Sequence, residues 1–272
     1  MVAQAPVHRV YAGTAGKGVS IEAIAAEIER TLREVGEPRR GIGQKADREK
    51  HIPDPPGPGL GLEYLGARVP EVRQTTKAAL RAHPVTERQE LVALAERLWD
   101  AGIYDMRLAA IDALRIHLKL LAAGDLRALE RFVREAQTWA LLDTLSISVL
   151  APMVERYPEL VATLDRWAGD EDFWVRRQAM LALLPSLRRG EGDFERFARY
   201  ADSMLEEREF FIRKAIGWVL REVSKKGPEL VAEWLTPRTG RCSGVTFREA
   251  VKYLDPDDRE RLTAAFREGR PA

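Results

Sequence analysis

The chain has 272 residues, and 45% of them are hydrophobic, which is enough for a substantial buried core. Its 43 Lys and Arg residues nearly cancel its 42 Asp and Glu residues, so a nucleic-acid role would require the cations to gather on one surface. A single cysteine, Cys242, excludes an internal disulfide framework, and the four histidines show no spacing typical of metal ligands.

The N-terminal segment lacks helical or strand periodicity, so residues 1–19 are predicted to form a flexible tail. It contains no continuous apolar stretch of the signal-peptide type, and no later stretch has the length and apolarity of a membrane span. We therefore expect a soluble, cytoplasmic protein. A helix is predicted from about Ser20, its cap, to Val35.

The prolines and glycines of residues 52–61 exclude a helix or a central strand, so a loop is predicted there. We expect this loop to lie within a single domain over residues 20–268, followed by a C-terminal tail at 269–272. Further helices are predicted over residues 70–82, 86–101, 105–122, 125–136, 138–150, 158–168, 171–187, 193–206, 209–225, 228–236, 245–253 and 256–268. No alternating strand pattern competes, and the predicted fold is all-α.

Acidic residues and prolines mark the starts of many of these helices. Caps or first-turn acids are predicted at Asp105, Asp125, Asp170, Asp193 and Asp255. Pro158 and Pro228 stand where the first turn of a helix tolerates proline.

Three predicted helices resemble one another in sequence: DMRLAAIDAL at 105–114, FWVRRQAMLAL at 173–183 and FFIRKAIGWVL at 210–220. Their alignment superimposes Arg107, Arg176 and Arg213. The last two are 37 residues apart and the first two 69 apart, which is about one and two lengths of a helical-hairpin repeat. We therefore predict a right-handed solenoid of paired helices with a concave surface for binding.

The stretch TWALLDTLS, at 138–146, places Trp139 and Asp143 four residues apart and hence on one helix face. Leucines and a valine fill the neighbouring arc, so the carboxylate is predicted at the border of a core, beside an indole. The alternative for an isolated acid at such a border is a cap, a partner within the helix or a solvated residue.

Two other helices carry residues that an apolar core does not require. In FWVRRQAMLALL, Arg177 projects into an apolar arc, where a guanidinium is costly unless it meets a phosphate or carboxylate or is otherwise paired. The alternative is an arginine whose stem packs while its head reaches water. In FFIRKAIGWVLREV, Lys214, Trp218 and Arg221 line up opposite the apolar arc, unless a neighbouring helix covers that face.

These residues are also where the sequence resembles the AlkD-type DNA alkylation-repair glycosylases. The resemblance rests on Trp139 with Asp143, on FWVRR, on VPEVR at 69–73 and above all on EFFIRKAIGWVLRE at 209–222, and it extends from about residue 60 to 255. It implies a superhelix of HEAT-like repeats whose concave face holds duplex DNA. Such enzymes release cationic N3- and N7-alkylated purines, such as 3-methyladenine and 7-methylguanine, with neither metal nor cofactor. A monomer is the expected state.

The resemblance also implies roles for individual residues. Asp143 matches the functional aspartate, and the catalytic cleft would be completed by Trp139, Trp218 and Arg177. The residues expected to contact DNA are Arg73, Arg176, Lys214 and Arg221.

The sequence departs from the family pattern at one place. Members carry a tyrosine nine residues before the glycine of G-x-x-x-P-E-x-R; here that glycine is Gly66 and the earlier position is Gly57, with Tyr64 nearby at a different spacing. The missing tyrosine and the near-neutral charge favour an alternative, a non-catalytic HEAT-like module that binds DNA or a protein. The presence of Trp139 and Asp143, together with the cleft arginine and the second tryptophan, argues against it.

Overall fold

The structure, a computed structural model, describes residues 19–50 and 60–269. Within these residues the fold is all-α, as the sequence predicts, and the strand-like pairing found there is one isolated bridge between Glu63 and Ile103. No helix in the described ranges is long and apolar enough to cross a membrane.

The described residues divide into two compact units. The first comprises residues 19–50 and 60–121. Its helices are α1 (Ile21–Val35), α2 (Pro38–Arg48), α3 (Val69–Ala82), α4 (Arg88–Trp99) and α5 (Tyr104–Ile116), followed by a 3-10 turn (Leu118–Leu120).

The second unit comprises residues 122–269 and contains every candidate site residue except Arg73. Its α-helices are α6 (Leu126–Ala136), α7 (Trp139–Leu145), α8 (Ala151–Arg156), α9 (Val161–Trp167), α10 (Phe173–Leu181), α11 (Leu184–Arg188), α12 (Phe194–Met204), α13 (Phe210–Ser224), α14 (Pro228–Leu235), α15 (Gly244–Ala250) and α16 (Pro256–Glu268). A π-helical turn (Ser146–Leu150) joins α7 to α8, and 3-10 turns lie at Ala123–Asp125, Pro158–Leu160, Thr236–Arg238 and Val251–Tyr253.

Three predicted segments lie almost wholly outside the described residues. They are the tail 1–19, the loop 52–61 and the tail 269–272. The single domain over residues 20–268 stays a prediction.

Helix α2 is absent from the helices that apolar periodicity predicts. Its one large apolar residue, Ile42, is exposed, so the segment has no apolar face. Close backbone packing holds it instead, because a Cβ at Gly41 would lie 2.4 Å from the Tyr64 carbonyl oxygen. Arg40 and Gln44 also donate hydrogen bonds of 2.7 and 2.9 Å to carbonyls of the loop before α3.

Prolines alter two predicted helices. The helix predicted over 138–150 continues to Arg156, because the chain widens into the π-helical turn ahead of Pro152, with the Ala151 N–H donating to the Ser146 carbonyl. The helix predicted over 171–187 is interrupted: α10 ends at Leu181 and α11 begins just before Pro185.

Most predicted helix starts are confirmed. Asp193 and Asp255 cap α12 and α16 by accepting hydrogen bonds of 2.8 and 3.0 Å from backbone N–H groups. First-turn positions are found for Asp105, Asp125, Pro158 and Pro228. The prediction for Asp170 is wrong, because Asp172 caps α10 by accepting from the Trp174 N–H at 2.8 Å.

The second unit repeats a helical layer along the chain. Arg176 and Arg213, which the alignment superimposes, each donate a 2.7 Å hydrogen bond to the carbonyl six residues earlier, at Asp170 and Glu207. The third aligned residue, Arg107 of the first unit, donates to a carbonyl of α4. Ion pairs between layers join residues 34 to 36 apart: Arg134–Asp170, Arg177–Asp143, Lys214–Glu249 and Arg238–Asp202.

Candidate functional site

Helix α7 holds Asp143 at the border of the core, as its periodicity predicts. The neighbouring arc is fully buried: Leu141, Leu142, Leu145 and Val149. The Asp143 side chain keeps 17% exposure, and Trp139, one turn earlier on the same face, is partly exposed. The carboxylate is therefore supported from behind by apolar packing and remains reachable from one side.

The partner of Asp143 is Arg177 on α10. Its Nε and Nη2 donate to Asp143 Oδ1 at 3.1 and 2.8 Å, and Nη2 also donates to Oδ2 at 3.0 Å. Its Nη1 donates to the Phe211 carbonyl at 2.6 Å. The Arg177 side chain is only 2% exposed, so its guanidinium does not reach water. The alternative of a packed stem with a solvated head is therefore wrong. Of the two anions that would compensate Arg177, a phosphate or a carboxylate, the structure shows the carboxylate of Asp143.

Aromatic rings shield this ion pair. The Arg177 guanidinium carbon lies 5.8 Å from the centre of the Phe211 ring, and that ring packs 4.7 Å from the buried Trp174. Asp143, Arg177 and Phe211 follow one another at intervals of 34 residues, so three successive layers, through α7, α10 and α13, contribute one group each. Excluding water in this way strengthens the electrostatic interactions of the pair.

Burial raises the pKa of the Asp143 carboxyl above its ordinary value of 3.8, and the Arg177 guanidinium opposes that shift by charge and hydrogen bonding. The carboxylate is therefore a poorly solvated anion, which gains more from a nearby positive charge than a hydrated one does. Oδ1 accepts two hydrogen bonds from Arg177 and Oδ2 accepts one, so Oδ2 has more capacity for a further contact.

Trp218 lies on α13 and is partly exposed. It follows Phe211 by seven residues, and therefore occupies the same side of the helix two turns later. Both tryptophans thus belong to helices that hold the Asp143–Arg177 pair.

Lys214 and Arg221 flank Trp218 on the same side of α13, but both are paired. Lys214 Nζ lies 2.6 Å from Glu249 Oε1, and Arg221 donates to Oε2 of the same carboxylate. Glu249 belongs to α15, which approaches closely because a Cβ at Gly217 would lie only 2.8 Å from the Glu249 Cβ. A neighbouring helix, α15, therefore covers the part of this α13 face that lies next to Gly217, as the alternative from the sequence states.

Comparison with known proteins identifies the family. Residues 28–254, more than half of the chain, match the family described as "DNA alkylation repair enzyme". The chain belongs to this family. Membership assigns it a role in DNA alkylation repair, with DNA as the partner. No curated protein matches the chain.

Solved structures resemble this member of the DNA alkylation repair family in fold. A predicted DNA alkylation repair enzyme from Enterococcus faecalis is 23% identical, with a TM-score of 0.70 over 81% of this chain and 97% of the other. AlkD2 from Streptococcus mutans is 16% identical, with a TM-score of 0.58 over 87% and 100%. The protein smu.31 from Streptococcus mutans UA159 is 18% identical, with a TM-score of 0.53 over 69% and 93%. At these identities the likeness concerns the fold alone.

Two other residues that the sequence suggests for this repair protein are Arg176 and Arg73. Arg176 forms a two-pronged ion pair with Glu207, at 3.1 and 2.7 Å. Arg73 is exposed on α3 of the first unit, where Tyr64 stacks on Tyr104 with ring centres 4.8 Å apart. DNA contact by Arg73 and Arg176 stays a prediction.

Two groups of the site are absent from the sequence-based prediction: the Phe211 carbonyl and Glu249. A backbone carbonyl leaves no signal in residue identity. Glu249 does leave one, because it follows Lys214 by 35 residues, one interval of the layered ion pairs. Among the described residues, no cluster of three or more His, Cys, Asp and Glu side chains offers a metal site.

Proposed function

We propose that the protein is a monofunctional DNA glycosylase that hydrolyses the N-glycosidic bond of cationic N3- and N7-alkylated purines in duplex DNA. The observation that carries the proposal is the Asp143 carboxylate, partly exposed and held by the buried Arg177 in a member of the DNA alkylation repair family. The proposed substrates include 3-methyladenine and 7-methylguanine, and the proposed active form is a monomer.

The chemistry requires stabilisation of positive charge on the sugar. An alkylated purine departs with the electrons of the C1′–N bond and thereby becomes neutral, so it is already a good leaving group. Positive charge develops on the deoxyribose, as in other glycoside hydrolysis, and water adds to C1′ as it loses a proton. The products are the free base and an abasic site.

Asp143 supplies the anion in this proposal. Its Oδ2, which accepts a single hydrogen bond from Arg177, would face C1′ or the attacking water. Arg177 fixes the carboxylate by three hydrogen bonds, so little reorganisation is needed as the charge forms.

The tryptophans and surface cations would hold the DNA backbone. Trp139 and Trp218 would pack against the sugar-phosphate strand, while Lys214 and Arg221 contact phosphates, a class of contact that positions rather than specifies. The base would stay stacked during cleavage. A lyase reaction would need an amine nucleophile, and Lys214 instead has an ion-pairing role with Glu249.

The test is release of 7-methylguanine from methylated duplex under single-turnover conditions. Wild type is expected to release the base, and Asp143→Asn is expected to lose at least about 100-fold in rate, as removal of an electrostatic stabiliser does. Asp202→Asn is the matched control, because it breaks another two-pronged Asp–Arg pair of the same unit, with Arg238, at 2.6 and 2.7 Å. Its rate should equal that of wild type.

The alternative, a non-catalytic DNA-binding module, is favoured by one observation. Lys214 and Arg221 of α13 are already paired with Glu249, which lowers the positive charge that this face offers to DNA. Wild type that binds DNA with salt-sensitive affinity but releases no base would support this module and overturn the glycosylase. A protein-binding scaffold predicts no salt-sensitive DNA affinity at all.

A further inference from the structure

Glu249 of α15 holds two cations of α13 at once. Lys214 contacts Oε1 of Glu249 at 2.6 Å, and Arg221 donates to Oε2. Each carboxylate oxygen therefore serves a different cation, and Arg221 also lies 3.5 Å from a carboxylate oxygen of Glu222. A backbone phosphate carries the same single negative charge on two oxygens, and Lys and Arg bind it by the same charge-assisted hydrogen bonds.

The cluster of Lys214, Arg221 and Glu249 is more exposed to solvent than Arg177 in the pair with Asp143. The side chain of Lys214 is 40% exposed, that of Arg221 23% and that of Glu249 18%. A phosphate can thus approach Lys214 and Arg221 from solvent, whereas the guanidinium of Arg177 is enclosed.

The carboxylate of Glu249 is anionic at neutral pH. Burial favours its protonated form, but Lys214 and Arg221 outweigh burial and hold the pKa of Glu249 below its ordinary value. Its backbone is fixed by the close approach of α15 to Gly217, so only the outer part of the side chain is free to turn aside.

We propose that Glu249 is a built-in competitor for DNA phosphate, whose carboxylate occupies the anion site of Lys214 and Arg221 until a backbone phosphate replaces it. This inference rests on the proposed binding of DNA at this face. Because an existing ion pair is exchanged for a new one, each phosphate contact yields little net affinity. Glu249 thereby keeps the affinity for undamaged duplex low and allows the protein to leave DNA that carries no lesion.

The test compares variants in binding to an undamaged duplex, measured by fluorescence anisotropy over a range of salt concentrations. Glu249→Gln keeps the size of the side chain and removes its charge. It is expected to bind about tenfold more tightly at 50 mM salt, and the slope of log Kobs against log salt should be steeper by about one, as for one further neutralised phosphate. Glu155→Gln, which removes the same charge from an exposed pair with Arg189, should leave affinity and slope near those of wild type.

A second comparison tests whether the tighter duplex binding of Glu249→Gln depends on Lys214 and Arg221. In a background of Lys214→Gln with Arg221→Gln, the Glu249→Gln change should no longer tighten binding, since the site it frees is gone. Thermal unfolding of each variant, followed by circular dichroism, verifies that all are folded.

Two outcomes overturn the inference while leaving the proposed function intact. One is a Glu249→Gln variant that binds like Glu155→Gln although wild type releases 7-methylguanine. The other is a gain that persists without Lys214 and Arg221. If wild type and Glu249→Gln neither bind duplex nor release base, the proposed function and this inference both fail.

Discussion

Arg177 illustrates how a buried charge is tolerated. Transferring a guanidinium into the protein interior costs several kcal/mol unless an anion and hydrogen bonds compensate it. Here the Asp143 carboxylate and the Phe211 carbonyl supply that compensation. The pair therefore contributes little net stability, and its proposed role is to fix the orientation of Asp143.

Arg177→Lys tests the positioning role. Lysine keeps the charge but lacks the planar fork, so it cannot hold both oxygens of Asp143 in one orientation. We expect the single-turnover rate of 7-methylguanine release to fall by about 10- to 100-fold, the effect of a slightly misplaced catalytic group, with duplex affinity within about twofold.

Arg238→Lys is the matched control for this change, because Arg238 forms a similar two-pronged pair with Asp202 in the same unit. It should lower the free energy of unfolding without lowering the rate. Equal rates for Arg177→Lys and wild type, or a loss confined to duplex affinity, would contradict the positioning role.

The raised pKa of Asp143 predicts the pH dependence of cleavage. In the proposed mechanism the carboxylate is the active form, so the rate should fall as the pH drops through a pKa above 3.8, at a higher pH than for an ordinary aspartate. Single-turnover rates, corrected for protein-free loss of base at each pH, measure this limb. Asp202→Asn should retain it, and an acid limb at or below 3.8 would refute the prediction.

The raised pKa of Asp143 also makes the free energy of unfolding depend on pH, because folding and proton binding are linked. The folded chain binds the Asp143 proton more tightly than the unfolded chain, so this group favours folding below pH 3.8. That contribution is lost as the pH rises through the raised pKa. In the Asp143→Asn variant this dependence should be missing, as a comparison of denaturant unfolding at several pH values would show.

At the scale of elements, the contact of α13 with α15 determines where Glu249 stands. Gly217 makes the contact possible, because a Cβ there would lie 2.8 Å from the Glu249 Cβ and 3.1 Å from Thr246. Thr246 also ties the two helices by donating a hydrogen bond from its hydroxyl to the Arg213 carbonyl at 3.1 Å. Separation of the helices would strain both contacts.

Gly217→Ala is therefore expected to lower the free energy of unfolding by about 1–3 kcal/mol, as overpacking does, despite the better helix propensity of alanine. Gly43→Ala in α2 is the control, because no atom lies within 4 Å of its added Cβ. That change should raise stability by up to about 1 kcal/mol. Urea unfolding of both variants measures the change in the free energy of unfolding. Equal changes in Gly217→Ala and Gly43→Ala would contradict the packing argument.

The helices that the sequence predicts are those with a clear apolar stripe, such as α13 with its buried Ile212, Ile216 and Leu220. Helix α2 escapes prediction because its neighbours contact its backbone rather than an apolar face. The pairing of Asp143 with Arg177 also lies beyond sequence periodicity, which predicts that each residue is anomalous within its own helix. Only the stacking of layers reveals that each anomaly compensates the other.

At the scale of the whole molecule, the near-zero net charge is accompanied by extensive ion pairing between basic and acidic side chains. Many arginines of the second unit pair with acids of an adjacent layer, as Arg134 does with Asp170 and Arg238 with Asp202. These ion pairs link adjacent layers, and each would have to open before its arginine could contact a phosphate. We therefore expect the charge balance to limit how strongly DNA is held.

This use of charge predicts a shallow salt dependence of duplex binding. If Lys214, Arg221 and the exposed Arg73 are the cations that contact phosphates, about three counterions are released, and the slope of log Kobs against log salt should be about −2 to −3. A surface that neutralises six or more phosphates would give a slope of about −5 or steeper. Anisotropy titrations between 50 and 300 mM salt distinguish the two cases, with Arg73→Gln expected to reduce the slope by about one. A steep wild-type slope would mean that DNA also breaks other ion pairs between layers, such as Arg134–Asp170, and the assignment of those arginines to stacking would then be wrong.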